Sequence, residues 1–277
     1  MPNPLVLAAI GGFTGFLAGF LGAGGGFATV VLFIAAGVAV HDAVGTSLAF
    51  TIIVGLWGTV LHLRQGTADP RLALSLGVPS IVTAILGAQA AEALDERALT
   101  LWFGVLTGAV LVALLLEPRL LRRRTVPAGV AGGGGVVSAG ATIPRKEFTL
   151  DVRSVTVAGA GGAAIGALKG LFGVGGGFLL VPFMLLFLRI PERIAVGSSL
   201  FAILLGSLAG ALAHSSLGNV ELDVLFWTVP GGLAGSLLGA RTTAKASGAV
   251  IRATFTALML ASTAYLLATS VGSRGPR

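Results

Sequence analysis

Two glycine clusters are the first places in this chain where backbone alone offers a binding chemistry. Gly22-Ala-Gly-Gly-Gly26 and Gly173-Val-Gly-Gly-Gly177 each interrupt an apolar run and lead into a phenylalanine, Phe27 or Phe178. Consecutive glycines break a helix and free backbone N–H groups. A helix restarting after the break points its positive N-terminal end at it. That combination suits an anion, held by Gly24, Gly25 and Gly26 in the first cluster and by Gly175, Gly176 and Gly177 in the second. The same glycines could instead serve close helix packing or a tight hairpin. A nucleotide loop is a poor reading, because neither cluster follows a strand pattern or ends in the Lys-Ser/Thr of a P-loop.

Few side chains stand near these turns. Lys169, four residues before Gly173, is the only basic residue in the middle of an apolar segment. An ionisable group there is a functional candidate. It would draw an anion to the turn, or its head would snorkel to an interface. Thr46, Ser47, Ser198 and Ser199 are expected in first turns of helices, where hydroxyls cap the helix or contact substrate. His62 and His214 follow Thr46 and Ser198 at the same spacing of sixteen residues. A histidine titrates near neutrality and could carry a coupling proton; the alternative is a helix-end residue meeting carbonyls or headgroups. Asp42, beside His41, is expected to cap the following helix, and Trp57, Trp102 and Trp227 read as packing or interfacial anchors. Acids are confined to connections, with no nucleophile–base–acid set and no H-E-x-x-H spacing. Neither an enzyme nor a metal or other cofactor is expected.

The elements that position these groups must be membrane helices. Of 277 residues, 55% are hydrophobic, 10% charged and none is cysteine, and the mean hydropathy is +0.96. An ordinary soluble domain carries about 25% charge, so a soluble globule, a disordered chain and a disulfide scaffold are excluded. Charge-free runs cover Leu5–Val40, Ala43–Leu61, Leu72–Ala91, Ala98–Leu116, Ser154–Leu168, Gly170–Leu188, Val224–Ala240 and Ala253–Ser273, with Ile194–Val220 broken only by His214. A span needs about 20 mostly apolar residues. Leu5–Val40 is therefore either a re-entrant pair or two spans.

An internal repeat organises the runs. Gly11–Val30 and Gly162–Val181 agree at 10 of 20 positions, and Ala43-Val-Gly-Thr-Ser-Leu48 returns as Ala195-Val-Gly-Ser-Ser-Leu200. The expected units are a first transmembrane repeat at 5–117, a basic linker at 118–153 and a second repeat at 154–273. The linker carries Arg119, Arg122, Arg123, Arg124, Arg145, Lys146 and Arg153 against Glu147 and Asp151. No aromatics are interleaved with these bases, so a cytoplasmic loop is expected and nucleic acid is not.

Charge also gives the orientation. Glu92, Asp95 and Glu96 outnumber Arg97 in one connection, whereas Arg241, Lys245 and Arg252 stand at the matching place of the second half. Arg64 and Arg71 against Asp69 are matched in the other direction by Glu221 and Asp223. Positive connections face the cytoplasm, so the halves are expected to be inserted upside down relative to each other. Arg274 and Arg277 run against the rule. The fold expected is an all-α integral membrane protein of the cell membrane, with two inverted repeats and broken Gly-rich elements. Such repeats are typical of secondary transporters.

The paired Gly-x-Gly-Gly-Gly-Phe elements, Pro182 after the second, and the Ala-Val-Gly-Thr/Ser-Ser-Leu segments resemble the TauE/SafE sulfite-exporter family, also called toluene-sulfonate uptake permeases. The resemblance covers roughly Ile10–Leu116 and Gly159–Leu267. It implies a permease moving sulfur-containing anions such as sulfite, thiosulfate or organosulfonates. One departure is Val31, which stands where the second half has Pro182, and it puts equal roles for the halves in question. The partners expected are a small anion and the lipid bilayer. A coupling proton or cation and a homo-oligomer stay open, and a passive anion channel is the alternative function.

Overall fold

The computed structural model describes residues 2–22, 24–122, 152–188, 190–243 and 246–272. Most of the basic linker, with Lys245, Arg274 and Arg277, lies outside the described residues. The described chain is all-α: α1 (Pro4–Leu21), α2 (Gly26–Ala35), α3 (Val40–Arg64), α4 (Pro70–Glu92), α5 (Glu96–Arg122), α6 (Val152–Phe172), α7 (Gly177–Leu186), α8 (Glu192–Ser216), α9 (Leu222–Thr243) and α10 (Gly248–Gly272). Eight of these are long and apolar enough to cross a membrane. The two short ones, α2 and α7, follow the glycine clusters. Helices α5 and α6 run past the expected repeat boundaries at 117 and 154.

Local sequence starts several helices. Asn3 and Asp69 are N-caps followed by proline, and the Asp69 carboxylate accepts the backbone N–H groups of Arg71 and Leu72 at 2.9 and 3.3 Å. Asp42 does not cap α3: that helix starts earlier, at Val40, with Ala39 as N-cap, and Asp42 falls inside the first turn. The freed N–H of Val40 donates instead to Glu96 of α5, at 3.2 Å.

The length of Leu5–Val40 resolves as a hairpin. α1 ends at Gly22, and the chain turns back so that a Cβ on Gly25 would lie 2.6 Å from the Thr14 carbonyl oxygen of α1. Phe33, near the end of α2, packs with Leu7 and Ile10 near the start of α1. α2 is therefore re-entrant, returning toward the end where α1 began. α3, α4 and α5 then cross in turn, an odd number, and α6 starts from the opposite end.

Two seams hold the bundle together, and each joins one half to the other. α1 lies along α9 and α4 along α6. A Cβ on Gly11, Gly15 or Gly19 would fall within 2.2 Å of the carbonyl oxygens of Thr228, Gly232 or Ser236. In the other seam Gly162 and Gly170 stand in the same relation to Leu76 and Ala84 of α4, and a Cβ on Gly166 would lie 2.6 Å from the Ser80 Cα. Glycine at every fourth position clears one helix face, so backbone packs on backbone. α5 and α10 close the outside, where Thr263 donates to Thr107 at 3.0 Å.

The helix directions sort the charges. Asp42, Glu92, Asp95, Glu96, Glu221 and Asp223 gather with the N-terminus at one end, opposed there by Arg97. Arg64, Arg71, Arg122 and Arg241 mark the other. The positive-inside rule then predicts that the basic end faces the cytoplasm. With no native cysteine, Asp95→Cys should react with an impermeant maleimide in intact cells; labelling only after permeabilisation would reverse the orientation. Gly15→Val should remove most folded protein from detergent extracts, because its Cβ would sit 2.2 Å from the Gly232 carbonyl oxygen, a clash that side-chain motion cannot relieve. A monodisperse, full-yield variant would show that the seam tolerates wider spacing.

Candidate functional site

The re-entrant helices meet head to head at the middle of the bundle. Gly25 is the N-cap of α2 and Gly176 that of α7, at φ of 70° and 82°. That left-handed conformation is one that glycine adopts without penalty. Neither helix start receives a side-chain cap. A Cβ on Gly26 would lie 2.7 Å from the backbone nitrogen of Gly175, and the rings of Phe27 and Phe178 stack at 5.0 Å. Two positive helix ends thus abut with no acidic side chain beside them. Both α2 and α7 are ten residues long, so Val31 in place of a second Pro182 leaves their lengths equal.

The hydroxyl pairs bind the opposite half. Ser199 donates to the Gly22 carbonyl at 2.7 Å, and Ser47 donates to the Gly173 carbonyl at 2.5 Å. Each bond satisfies a carbonyl at the broken end of a helix in the other half. The hydroxyl of Thr46 accepts the N–H of Glu221 and that of Ser198 accepts the N–H of Asp69, both at 2.8 Å. All four residues stand in second turns of α3 and α8, not first turns, and all are buried. Their hydroxyls are engaged in joining the halves.

His62 and His214 are also buried and also paired in role. His62 Nε2 faces the Gly19 carbonyl at 3.4 Å, and His214 Nε2 faces the Gly170 carbonyl at 2.8 Å. Each ties the end of a long helix to the last turns of α1 or α6, His214 at the residue next to Lys169. The ring of His62 is held further by Thr67 at 2.8 Å, whereas Nδ1 of His214 has no partner.

Lys169 lies at the centre. It is 1% exposed, so it does not snorkel. Its Nζ donates to the Ile203 carbonyl of α8 at 2.7 Å. Its Cε would be 2.9 Å from a Cβ on Gly176, which places the side chain against the α7 N-cap. Nζ and the Ser80 hydroxyl both stand within 2.7 Å of the point where a Gly206 Cβ would lie.

Sequence reasoning missed three groups here. Thr51 touches both turns: its Cγ2 is 3.2 Å from a Cβ built on Gly24 and 3.3 Å from one on Gly175, and its hydroxyl donates to the Gly24 carbonyl at 3.3 Å. Ser80 lies beside Lys169. Ser207 is buried with an unpartnered hydroxyl. Leu48 packs on Gly210 and Leu200 on Gly58, and that antiparallel register sets Ser207 opposite Thr51. None of the three repeats between the halves, so the repeat carried no signal for them. An apolar groove of about 330 Å³ lies on the α4–α8 face, lined by Ile81, Ile85, Leu205, Leu208 and Leu212. It faces outward and holds none of these polar groups.

A family model described as "Sulfite exporter TauE/SafE" matches residues 7–266. The chain belongs to the TauE/SafE sulfite exporter family. It is a multi-pass integral membrane protein of the cell membrane and a membrane transporter, which points away from catalysis. It is 30% identical over 250 residues to the "Probable membrane transporter protein YunE" of Bacillus subtilis, covering 87% of this chain and 89% of that one. A "Probable membrane transporter protein" of Xylella fastidiosa is 30% identical over 273 residues, with coverage of 95% and 94%. Bacillus subtilis YdhB, of the same description, is 26% identical over 231 residues, covering 83% and 86%. No solved structure matches significantly.

The geometry assigns the histidines a fastening role that can be checked directly. His214→Ala should lower stability by about 1 kcal/mol through loss of one buried hydrogen bond, while His214→Gln, whose amide can still donate to Gly170, should recover most of it. Thermal denaturation in detergent measures both; equal loss in the two variants would show that the imidazole ring matters for more than this bond.

Proposed function

We propose that this TauE/SafE transporter moves small sulfur-containing anions, such as sulfite or thiosulfate, by secondary transport through a site at the meeting of its two Gly-rich turns. The observation that carries the reading is the convergence of positive charge. Two uncapped helix N-termini, each worth about half an elementary charge, abut beside a buried lysine. No carboxylate pairs with Lys169 among the described residues. Such a cluster at membrane depth is costly on its own, and a bound anion offsets it.

The site residues divide by role. Gly24, Gly25 and Gly26 with Gly175 and Gly177 supply backbone donors, Gly176 shapes the turn with its own N–H donating to the Val174 carbonyl, and Lys169 supplies the charge-assisted hydrogen bond. Thr46, Ser47, Ser198 and Ser199 hold the turns in place from the opposite half. The turns are packed against each other, which fits a closed state between inward and outward access better than it fits an open anion channel. The bonds from Ser47 and Ser199 are the natural ones to exchange as the halves rock about the centre.

Reconstituted protein should take up radiolabelled thiosulfate or sulfite into liposomes and show counterflow; no transport of either would overturn the reading. Lys169→Ala should weaken the anion's half-saturation by about 1–3 kcal/mol, the worth of a charge-assisted hydrogen bond. Gly176→Val should abolish transport while inserting normally, since valine disfavours positive φ and its Cβ would press on Lys169. Unchanged half-saturation in a well-inserted Lys169→Ala protein would remove Lys169 from the site.

A further inference from the structure

The two halves differ most at the place where Lys169 sits. Its repeat counterpart is Ala18, and the counterpart of Ala202 is Phe50. In the first half Ala18 packs with Phe50 and Val54, and the Phe50 ring comes within 2.5 Å of a Cβ built on Gly232. In the second half Lys169 stands at the place of Ala18 and Ala202 at that of Phe50, and the lysine Nζ reaches the carbonyl of the next residue, Ile203. Lysine-with-alanine on one side replaces alanine-with-phenylalanine on the other. The amine is present once.

That amine is surrounded by neutral groups. Ser80 approaches from α4, Gly176 from the turn before α7, Ile203 and Gly206 from α8, and Ile165 lies on its own helix. None of these carries charge or titrates. The Ile203 carbonyl accepts a hydrogen bond from an amine or, more strongly, from an ammonium. With a neutral amine the site carries only the partial charges of the two helix ends. An ammonium adds a full charge, which is costly at this depth unless an anion enters with it.

Building on the proposed anion site, we propose that Lys169 is also the proton carrier of the transport cycle, so that one proton travels with each anion. As the anion enters, the Nζ lone pair forms an N–H bond with a proton from water at the open face. After the bundle rocks, that bond breaks and the proton leaves to water at the other face with the anion; no electrons change hands. A single lysine, with alanine at the repeat-related position, sets the stoichiometry at one. The histidines, fastened at helix ends, stay outside the cycle.

The test uses the full chain in liposomes, radiolabelled thiosulfate, which does not titrate near neutral pH, and a membrane potential clamped with valinomycin. Wild type should accumulate thiosulfate against its gradient when a pH gradient is imposed. Lys169→Arg, whose guanidinium keeps its proton, should bind thiosulfate with an altered half-saturation and lose accumulation driven by the pH gradient. His62→Gln and His214→Gln should keep it. Full gradient-driven accumulation by Lys169→Arg, or its loss in a histidine variant alone, overturns the proposal. Should arginine not fit over Gly206, wild-type protein in weakly buffered detergent gives an independent reading. Adding thiosulfate should withdraw about one proton per chain from solution, and binding without proton uptake overturns the proposal. The anion-site reading fails separately, on an unchanged half-saturation in Lys169→Ala.

Discussion

A backbone cannot be broken inside a bilayer unless something other than water satisfies the groups that the break exposes. This fold meets that requirement across its own repeat. The carbonyl of Gly22, left over where α1 ends, is bonded by Ser199 of the second half, and that of Gly173 is bonded by Ser47 of the first. Neither half can form its turn alone, because the donor is carried by the other. The glycine seams follow from the same constraint. α1 must lie against α9 and α6 against α4, close enough for backbone contact, to bring each broken end under the opposite serine. Association of the halves and formation of the turns are thus one event.

The symmetry has a cost. Two helix starts related by the repeat present the same positive end to the same point, and symmetry gives no way to balance one against the other. On the proposed reading a bound anion offsets this charge for part of the cycle, and its residence is transient. The lysine adds to the charge on one side only. Its presence makes the repeat depart locally: Ala18 and Phe50 of the first half correspond to Lys169 and Ala202 of the second. On the proposed reading the symmetric scaffold serves access from two faces, and the asymmetric amine sets one binding event per cycle.

Much of this was legible in the sequence because it rests on composition, periodicity and repetition. The apolar runs, the glycine clusters, the offset of the repeat and the alternation of charge between connections each leave a mark in one dimension. The hairpin form of Leu5–Val40 did not, since chain length alone cannot tell a short return helix from a span. The cap of α3 was misassigned to Asp42 because Glu96, which takes the Val40 N–H, is remote in the chain and near only in the fold. Thr51, Ser80 and Ser207 were missed for a related reason. A hydroxyl inside an apolar helix looks the same whether it satisfies its own helix or faces a site, and only the crossing of α3 with α8, and of α4 with α6, separates the two. The serines and threonine of the paired motifs were found, but their engagement was not: they reach carbonyls and N–H groups more than a hundred residues away.

The placement of the histidines shows how repetition can mislead about chemistry. Residues matched in two halves must do something that both halves need, and what both halves need is structural: a donor for the carbonyls of Gly19 and Gly170. A group serving a single directional event has no reason to be matched. By that logic the unmatched Lys169, with Ser80, Thr51 and Ser207 near it, is what the proposed site adds to the matched glycine turns, while the matched serines, threonine and histidines form the frame. The His214 ring supports the distinction. It keeps the same carbonyl bond as His62 although its other nitrogen has lost the partner that Thr67 provides, so the fastening bond is what the repeat has preserved.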